Sequence, residues 1–121
     1  MKIHAFILLL LLNFSCKETE PKLEKSITAC GVNDPIKNLA WLKTLTKEIP
    51  SNPSYIMVVI SVSEYKGQEI FNIYDMISSC AYCDLRDCAG REYEPVNFAD
   101  FIANKRNERK IWCQNPDLCM N

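Results

Sequence analysis

Six of the seven cysteines in this 121-residue chain lie between residues 30 and 119, and they limit its possible folds more than any other feature. In a small exported domain, an even number of cysteines indicates a disulfide framework. Each bridge would stabilise the domain by about 2–4 kcal/mol, a large share of the stability expected for roughly 90 residues. Many connectivities are possible, and spacing alone does not choose among them. The six are Cys30, Cys80, Cys83, Cys88, Cys113 and Cys119.

The amino-terminal segment 1–15 has the layout of an export signal. Lys2 gives a positive start, an unbroken apolar run covers residues 5–12, and the small residue Ser15 precedes Cys16. A membrane-spanning helix needs roughly 20 apolar residues, so an uncleaved anchor is the less favoured alternative. We therefore expect segment 1–15 to be a signal peptide that is removed from the mature protein.

The residues that end at Cys16, L-N-F-S-C, resemble a lipobox of the looser kind found in the Bacteroidota. The resemblance implies cleavage after Ser15, a diacylglycerol thioether on Cys16 and a further acyl chain, such as palmitate, on the new amino terminus. Two or more chains anchor a protein stably, because each buried methylene contributes about 0.8 kcal/mol. The predicted location is the bacterial cell envelope, as an outer-membrane lipoprotein, and K-E-T-E at 17–20 resembles a surface-export signal. An unmodified Cys16 is the alternative.

Residues 16–29 are predicted to be the lipidated cysteine and a charged tether, and residues 30–121 a single domain. Segment 17–25 is rich in charge and nearly devoid of apolar side chains, so it cannot bury enough surface to offset the entropy of ordering it. Removal of the signal leaves 13 basic residues (14 − 1) and 15 acidic residues (15 − 0), a net charge of −2. This balance does not indicate binding to nucleic acid.

A helix is predicted to begin at Pro35, with Asp34 as its N-cap acceptor. Apolar side chains then recur every three or four residues, until Pro50 and Pro53 end the pattern. This pattern favours one main amino-terminal helix with one buried face. The apolar stripe consists of Ile36, Leu39, Leu42, Leu45 and Ile49.

A β-hairpin is predicted over the middle of the chain. Residues 55–65 are rich in Ile, Val and Tyr, and Lys66-Gly67 forms a two-residue turn in which glycine supplies a positive φ. This turn places three apolar pairs on one side of the sheet. Asp75 opposite Val58 is the one mismatch, which a bulge would explain. The apolar pairs are Val62 with Phe71, Ile60 with Ile73, and Ile56 with Ile77.

Shorter elements are predicted for the rest of the domain. They are a third strand at 81–86, a turn at 87–90, a fourth strand at 91–94, a short helix capped by Asn97 and a closing strand at 109–113. The predicted fold is therefore α+β: one main N-terminal helix packed on a small antiparallel β-sheet and stabilised by disulfides.

The only histidine is His4, which lies in the segment expected to be removed. A mature chain without histidine lacks Ser-His-Asp and Cys-His catalysis and His-ligated metal sites. Three glycines in the whole chain give no glycine-rich phosphate loop. We therefore predict no enzymatic activity and no cofactor. Aromatic side chains that could line a binding patch, or else fill the core, are Tyr74, Tyr82, Tyr93 and Trp112.

Cys80 and Cys83 form a C-x-x-C motif, which leaves two functional alternatives to a structural bridge. Redox motifs of this kind precede a helix whose amino terminus lowers the pKa of the first thiol, whereas segment 84–90 is typical of a short strand and turn. A zinc site could use Cys80, Cys83, Cys88 and Cys113, but an oxidising envelope competes for these thiols. Structural disulfides are the favoured interpretation, and no metal site is predicted.

Several short motifs resemble a family of small Bacteroidota lipoproteins. They are C-G-V-N-D-P at 30–35, L-A-W-L-K at 39–43, Y-K-G-Q at 65–68, D-C-A-G at 87–90 and I-W at 111–112. The resemblance supports the predicted compartment and fold, and it implies a bridge between Cys30 and Cys88, but it implies no activity. We therefore expect a non-enzymatic envelope module that binds a protein or another surface partner or has a structural role. A thiol-based role of Cys80 and Cys83 is the alternative.

Overall fold

The computed structural model describes residues 27–120 and confirms a disulfide-containing α+β fold. The predicted signal peptide, Cys16 and most of the predicted tether lie outside the described residues. Short 3-10 helices cover Ile49–Ser51 and Pro116–Cys119. The other elements are β1 (Thr28–Ala29), β2 (Val32–Asn33), α1 (Pro35–Asn38), α2 (Ala40–Glu48), β3 (Val58–Tyr65), β4 (Gln68–Asp75), β5 (Leu85–Arg86), α3 (Phe98–Asn104) and β6 (Arg106–Cys113).

Strands β3 to β6 form one antiparallel sheet in the order β5-β4-β3-β6, and β1 pairs with β2 in a separate hairpin. Cys30 and Gly31 make the turn of that hairpin, with positive φ angles of 55° and 73°. Two residues with positive φ match the right-handed twist of the flanking strands. The hairpin therefore places Cys30 at a defined point before the first helix.

Two apolar layers enclose the larger sheet. On one face, side chains of β3 and β4 pack against α2 and the residue after it. On the opposite face, Phe101 of α3 packs with Ile70 and Leu85. Because successive side chains of a strand point to opposite faces, β3 is buried almost throughout. The first layer consists mainly of Leu42, Ile49, Val58, Ile60, Val62, Phe71 and Ile73.

The single amino-terminal helix predicted from the apolar stripe is not observed. The backbone is extended at Leu39 (φ −96°, ψ 114°), which separates α1 from α2. The predicted N-cap at Asp34 is also wrong, since Asp34 adopts a left-handed conformation and its side chain makes no cap hydrogen bond. Ile36, Leu39 and Leu45 nevertheless all pack against the first core layer. The stripe therefore identified the buried side chains but not the continuity of the backbone.

The predicted register of the β3–β4 hairpin is confirmed. Val62 pairs with Phe71 and Ile60 with Ile73. Lys66 and Gly67 form the turn, with φ angles of 48° and 75°. The strand begins at Val58 rather than at residue 55.

The predicted pair of Ile56 with Ile77 is wrong, because the ladder ends at Val58 and Asp75 and both isoleucines are exposed beyond it. Asp75 pairs with Val58 in continuous register, so no bulge is present there. Its carboxylate accepts hydrogen bonds from the backbone N–H groups of Ile56 (2.9 Å), Met57 (3.2 Å) and Ile77 (3.2 Å). These hydrogen bonds, first that from Ile56, hold the pKa of Asp75 below its usual range. Asp75 therefore ends the hairpin by capping both strands.

The remaining elements follow the predicted order with different lengths. The third strand is reduced to Leu85–Arg86, and the predicted fourth strand is reduced to one bridge between Arg86 and Glu92. Asn97 caps α3 as predicted, since its side chain accepts a hydrogen bond from the backbone N–H of Asp100 (3.0 Å). The last strand begins earlier than predicted, at Arg106.

Trp41 connects α2 to the turn after β5. Its indole N–H donates to the carbonyl of Cys88 (3.0 Å), and its ring meets the Phe71 ring edge-on at 5.1 Å. Gly90 lies against the same ring with a φ of +79°, and a Cβ there would lie 2.5 Å from Trp41 Cγ. Only glycine combines this conformation with so close an approach.

Replacing Gly90 with alanine should lower the free energy of unfolding by about 2–4 kcal/mol, because the new methyl group displaces Trp41 and the left-handed conformation adds its own cost. Gly31→Ala is the matched control, since Gly31 also has a positive φ but nothing lies within 4 Å of an added Cβ. Gly31→Ala should lower the free energy of unfolding by only about 1 kcal/mol. Urea unfolding measures the stability of both variants. Equal losses of unfolding free energy would show that the contact between the added methyl group and Trp41 does not destabilise the fold.

Replacing Asp75 with asparagine should destabilise the domain by about 1 kcal/mol near neutral pH, since the hydrogen bonds it makes are partly exposed. A folded-state pKa below the unfolded value gives stability that is present above the unfolded pKa and is lost as the pH falls through the folded pKa. The stability difference between wild type and variant should therefore shrink below about pH 4. Chemical unfolding between about pH 7 and pH 2 measures it, and a constant difference would contradict this role.

Candidate functional site

The structure assigns all six predicted disulfide cysteines to three bridges. Cys30 pairs with Cys88, the bridge that the family resemblance implies. Cys80 pairs with Cys83, and Cys113 pairs with Cys119. The four cysteines of the zinc alternative are thus divided among three bridges and are not brought together.

The Cys30–Cys88 bridge lies in a network of polar contacts. The backbone N–H of Cys30 donates to the Glu69 carboxylate, which also accepts from the Arg109 guanidinium (2.8 Å). The two sulfur atoms and a Glu69 oxygen lie within 4.8 Å of one another, which resembles a ligand set. The sulfurs are bonded to each other and the carboxylate is already paired with Arg109, so this group is a structural joint rather than a metal site.

The three bridges differ in what they contribute to stability. Cys30 and Cys88 are 58 residues apart in the chain, whereas Cys80 and Cys83 are 3 apart. In the loop-entropy account, these bridges stabilise the fold by about 4 and about 2 kcal/mol respectively. The Cys80–Cys83 bridge is therefore the one that the fold needs least.

Two adjacent segments just beyond the ends of β3 and β4 carry four exposed large side chains, and we call these residues the end surface. Two of them precede β3 and two follow β4. The backbone N–H of Met76 donates to the carbonyl of Met57 (3.0 Å), so the two segments stay adjacent past the strands. The capping by Asp75 fixes them further. The end surface consists of Tyr55, Ile56, Met76 and Ile77, which are 36%, 58%, 47% and 58% exposed.

A groove of about 480 Å³ joins the end surface to the Cys80–Cys83 bridge. Tyr55 and Ile77 line it from the end surface, and both cysteines line it from the loop that connects β4 to β5. Both cysteines are exposed. The groove therefore places a solvent-accessible disulfide beside exposed apolar side chains.

Two contacts hold this loop against the second face of the sheet. The buried Asn72 side-chain amide donates to the carbonyl of Ala81 (2.7 Å), which lies between the two cysteines. Tyr82 packs edge-on against Phe98 and Phe101, with ring centroids 6.1 Å apart in each case. The position of the loop therefore depends on the core and not on the disulfide alone.

A second groove, of about 640 Å³, lies at the opposite end of the hairpin, around its turn. The Tyr65 hydroxyl donates to the Asp100 carboxylate, and this hydrogen bond raises the pKa of Tyr65 to about 12 and lowers that of Asp100. Lys66 lies 4.0 Å from the same carboxylate. These groups satisfy one another, and they attach α3 to the hairpin rather than present free chemistry.

The four aromatic side chains considered for a binding patch do not form one. Tyr82 and Tyr93 pack against the second core layer, and Trp112 packs against the first. Tyr74 is half-buried, and burial raises its pKa. The end surface was not predicted, because Ile56 and Ile77 were expected to pair across the hairpin on the same side as the other apolar pairs.

In the part of the chain that the structure describes, no helix has both the length and the apolar character needed to cross a membrane. The candidate site is an ordered group of exposed apolar side chains with an exposed disulfide at its edge.

Comparison of the chain with protein families, with curated proteins and with solved structures finds no match.

Proposed function

We propose that this protein is a lipoprotein of the bacterial cell envelope, anchored at the outer membrane through Cys16, and that its domain is a non-enzymatic module that binds another protein. The observation that carries the binding proposal is the end surface, where four apolar side chains are exposed on an ordered backbone. Groups of exposed apolar side chains mark interaction sites more often than isolated ones do.

The end surface suits a protein partner because its four side chains are uncharged and two of them are branched aliphatic groups. A partner that covers Ile56 and Ile77 removes the apolar area of two aliphatic side chains from water. The hydrogen bonds to Asp75 fix both segments before binding. A preorganised surface loses little conformational entropy when the partner binds.

The end surface also lies away from the point where the chain enters the domain. The carbonyl of Thr28 accepts a hydrogen bond from Arg109 (2.7 Å), and Arg109 pairs with Val62 in the middle of β3. Ile56 lies roughly 20 Å along the strand from that position. A domain tethered through residues that precede Thr28 would thus carry the end surface away from its point of attachment.

Replacing Cys16 with serine should move the protein from the membrane fraction to the soluble fraction, because the thioether cannot form. Ser15→Ala is the matched control, since it keeps a small residue before the cleavage site and should leave the protein in the membrane fraction. Fractionation of the native host followed by immunoblotting measures both. An unmodified and intact amino terminus on the native protein, found by mass spectrometry, would refute the lipid anchor.

The double variant Ile56→Ser/Ile77→Ser should bind apolar peptides at least about tenfold more weakly than the wild type, because it removes two aliphatic side chains from the contact. The probes are peptides selected from a random displayed library on the wild-type domain, with affinities measured by calorimetry. Val96→Ser is the control, since Val96 is fully exposed but lies outside the end surface. Equal binding of the peptides to wild type and double variant would exclude the end surface as a protein-binding site. Binding of the domain to phosphatidylcholine vesicles through Ile56 and Ile77 would also contradict the proposal.

A further inference from the structure

We propose that the Cys80–Cys83 disulfide is a site of thiol–disulfide exchange with a cysteine-bearing protein segment whose neighbouring apolar side chains contact the end surface. The exchange itself depends on the accessibility and support of this disulfide. The choice of partner rests on the proposed function of the end surface.

Accessibility distinguishes this bridge from the other two. Both of its cysteines are exposed, whereas Cys30 and Cys88 are half-buried beneath their contacts with Glu69 and Trp41. The Cys80–Cys83 bridge is therefore the one in which both cysteines are open to an attacking thiolate in the folded domain.

The third bridge is accessible on one side only. Cys119 is exposed, but Cys113 ends β6 and is 9% exposed. Attack on the Cys119 sulfur would release a thiolate at the buried Cys113, where burial disfavours the charged form. The Cys113–Cys119 bridge therefore serves as an internal control, a disulfide in which only one of the two cysteines is exposed.

The loop that carries Cys80 and Cys83 has supports that do not involve the disulfide. Asn72 holds the carbonyl of Ala81, and Tyr82 packs against Phe98 and Phe101. The domain can thus remain folded when this bond opens, and the two sulfurs stay close enough to re-form it. A bridge with these properties can cycle, unlike one that holds the fold together.

Docking of the partner must accelerate the exchange, because no helix amino terminus among the described residues activates the thiols of Cys80 and Cys83. Within the described part of the chain, residues 81–84 contain no helix, and β5 follows directly. The helix amino terminus that stabilises a thiolate in redox C-x-x-C motifs is therefore missing from this position. A segment bound on the end surface would hold its cysteine beside the groove and raise the local thiol concentration.

The reaction balances as a two-electron exchange. A partner thiolate attacks one sulfur of the bridge, a mixed disulfide forms, and the electron pair of the broken bond leaves on the other cysteine, which takes a proton from water. A second partner thiolate then attacks the partner sulfur of the mixed disulfide and releases the second cysteine as a thiol. The partner's two thiols are oxidised to a disulfide, and Cys80 and Cys83 are reduced. The reverse reaction oxidises the pair again.

A titration with reduced and oxidised dithiothreitol tests the exchange on the lipid-free mature protein. Alkylation and peptide mass spectrometry report each bridge, and circular dichroism reports the fold. Half-reduction of Cys80–Cys83 should need at least a tenfold lower ratio of reduced to oxidised reagent than either other bridge, with an unchanged spectrum. Reduction of all three bridges together, earlier reduction of Cys113–Cys119, or loss of the folded spectrum along with the first bridge would overturn the proposal.

Two matched peptides test the docking step, one with leucines and one with serines on both sides of a single cysteine. On the wild type, the leucine peptide should form the mixed disulfide at least fivefold faster than the serine peptide. On Ile56→Ser/Ile77→Ser, the two peptides should react at the same rate. Equal rates on the wild type, with the titration as expected, would overturn docking on the end surface but leave the exchange standing. An unexpected titration overturns the exchange, whichever peptide reacts faster.

Discussion

The joint around the Cys30–Cys88 bridge is the interaction on which the rest of the structure depends. It ties the turn between β1 and β2 to the turn after β5, two points that are 58 residues apart in the chain. Glu69 binds the backbone of Cys30 from β4, and Trp41 binds the carbonyl of Cys88 from α2. One covalent bond thus fixes the helical layer, the hairpin and the edge of the sheet to one another, and Gly90 is the opening into which Trp41 fits.

Stability and accessibility are divided between different bridges. The bridge that closes the longest loop is partly covered, while the bridge that closes the shortest is exposed on a loop that the core already holds through Asn72 and Tyr82. Asn72 is the one described residue whose buried side-chain oxygen has no hydrogen-bond partner, although its amide holds Ala81. Burying this oxygen without a partner destabilises the fold, and it does so at the residue that supports the exposed disulfide. A bond in this setting is suited to chemistry in a folded protein.

The sequence patterns predicted some parts of the fold much better than others. The Lys66-Gly67 turn determined the hairpin register, because a two-residue turn with positive φ leaves one pairing open to the strands. The apolar stripe identified the buried face of α1 and α2 but missed the break at Leu39, since periodicity reports which side chains face the core and not whether the backbone is continuous. Spacing could not pair the cysteines, because pairing depends on which turns meet in space.

The end surface was missed for a reason that bears on its function. The hairpin register, continued by two residues, would place Ile56 and Ile77 on the same face as Val58, which belongs to the first core layer. The Asp75 carboxylate accepts a hydrogen bond from the backbone N–H of Met57, which a longer ladder would pair with Met76, and so interrupts the pairing there. Two isoleucines that could have extended the core are exposed instead because a specific carboxylate stops the strands. Their exposure is a property of the fold, and it puts an ordered apolar surface beside the one bridge that solvent reaches from both sides.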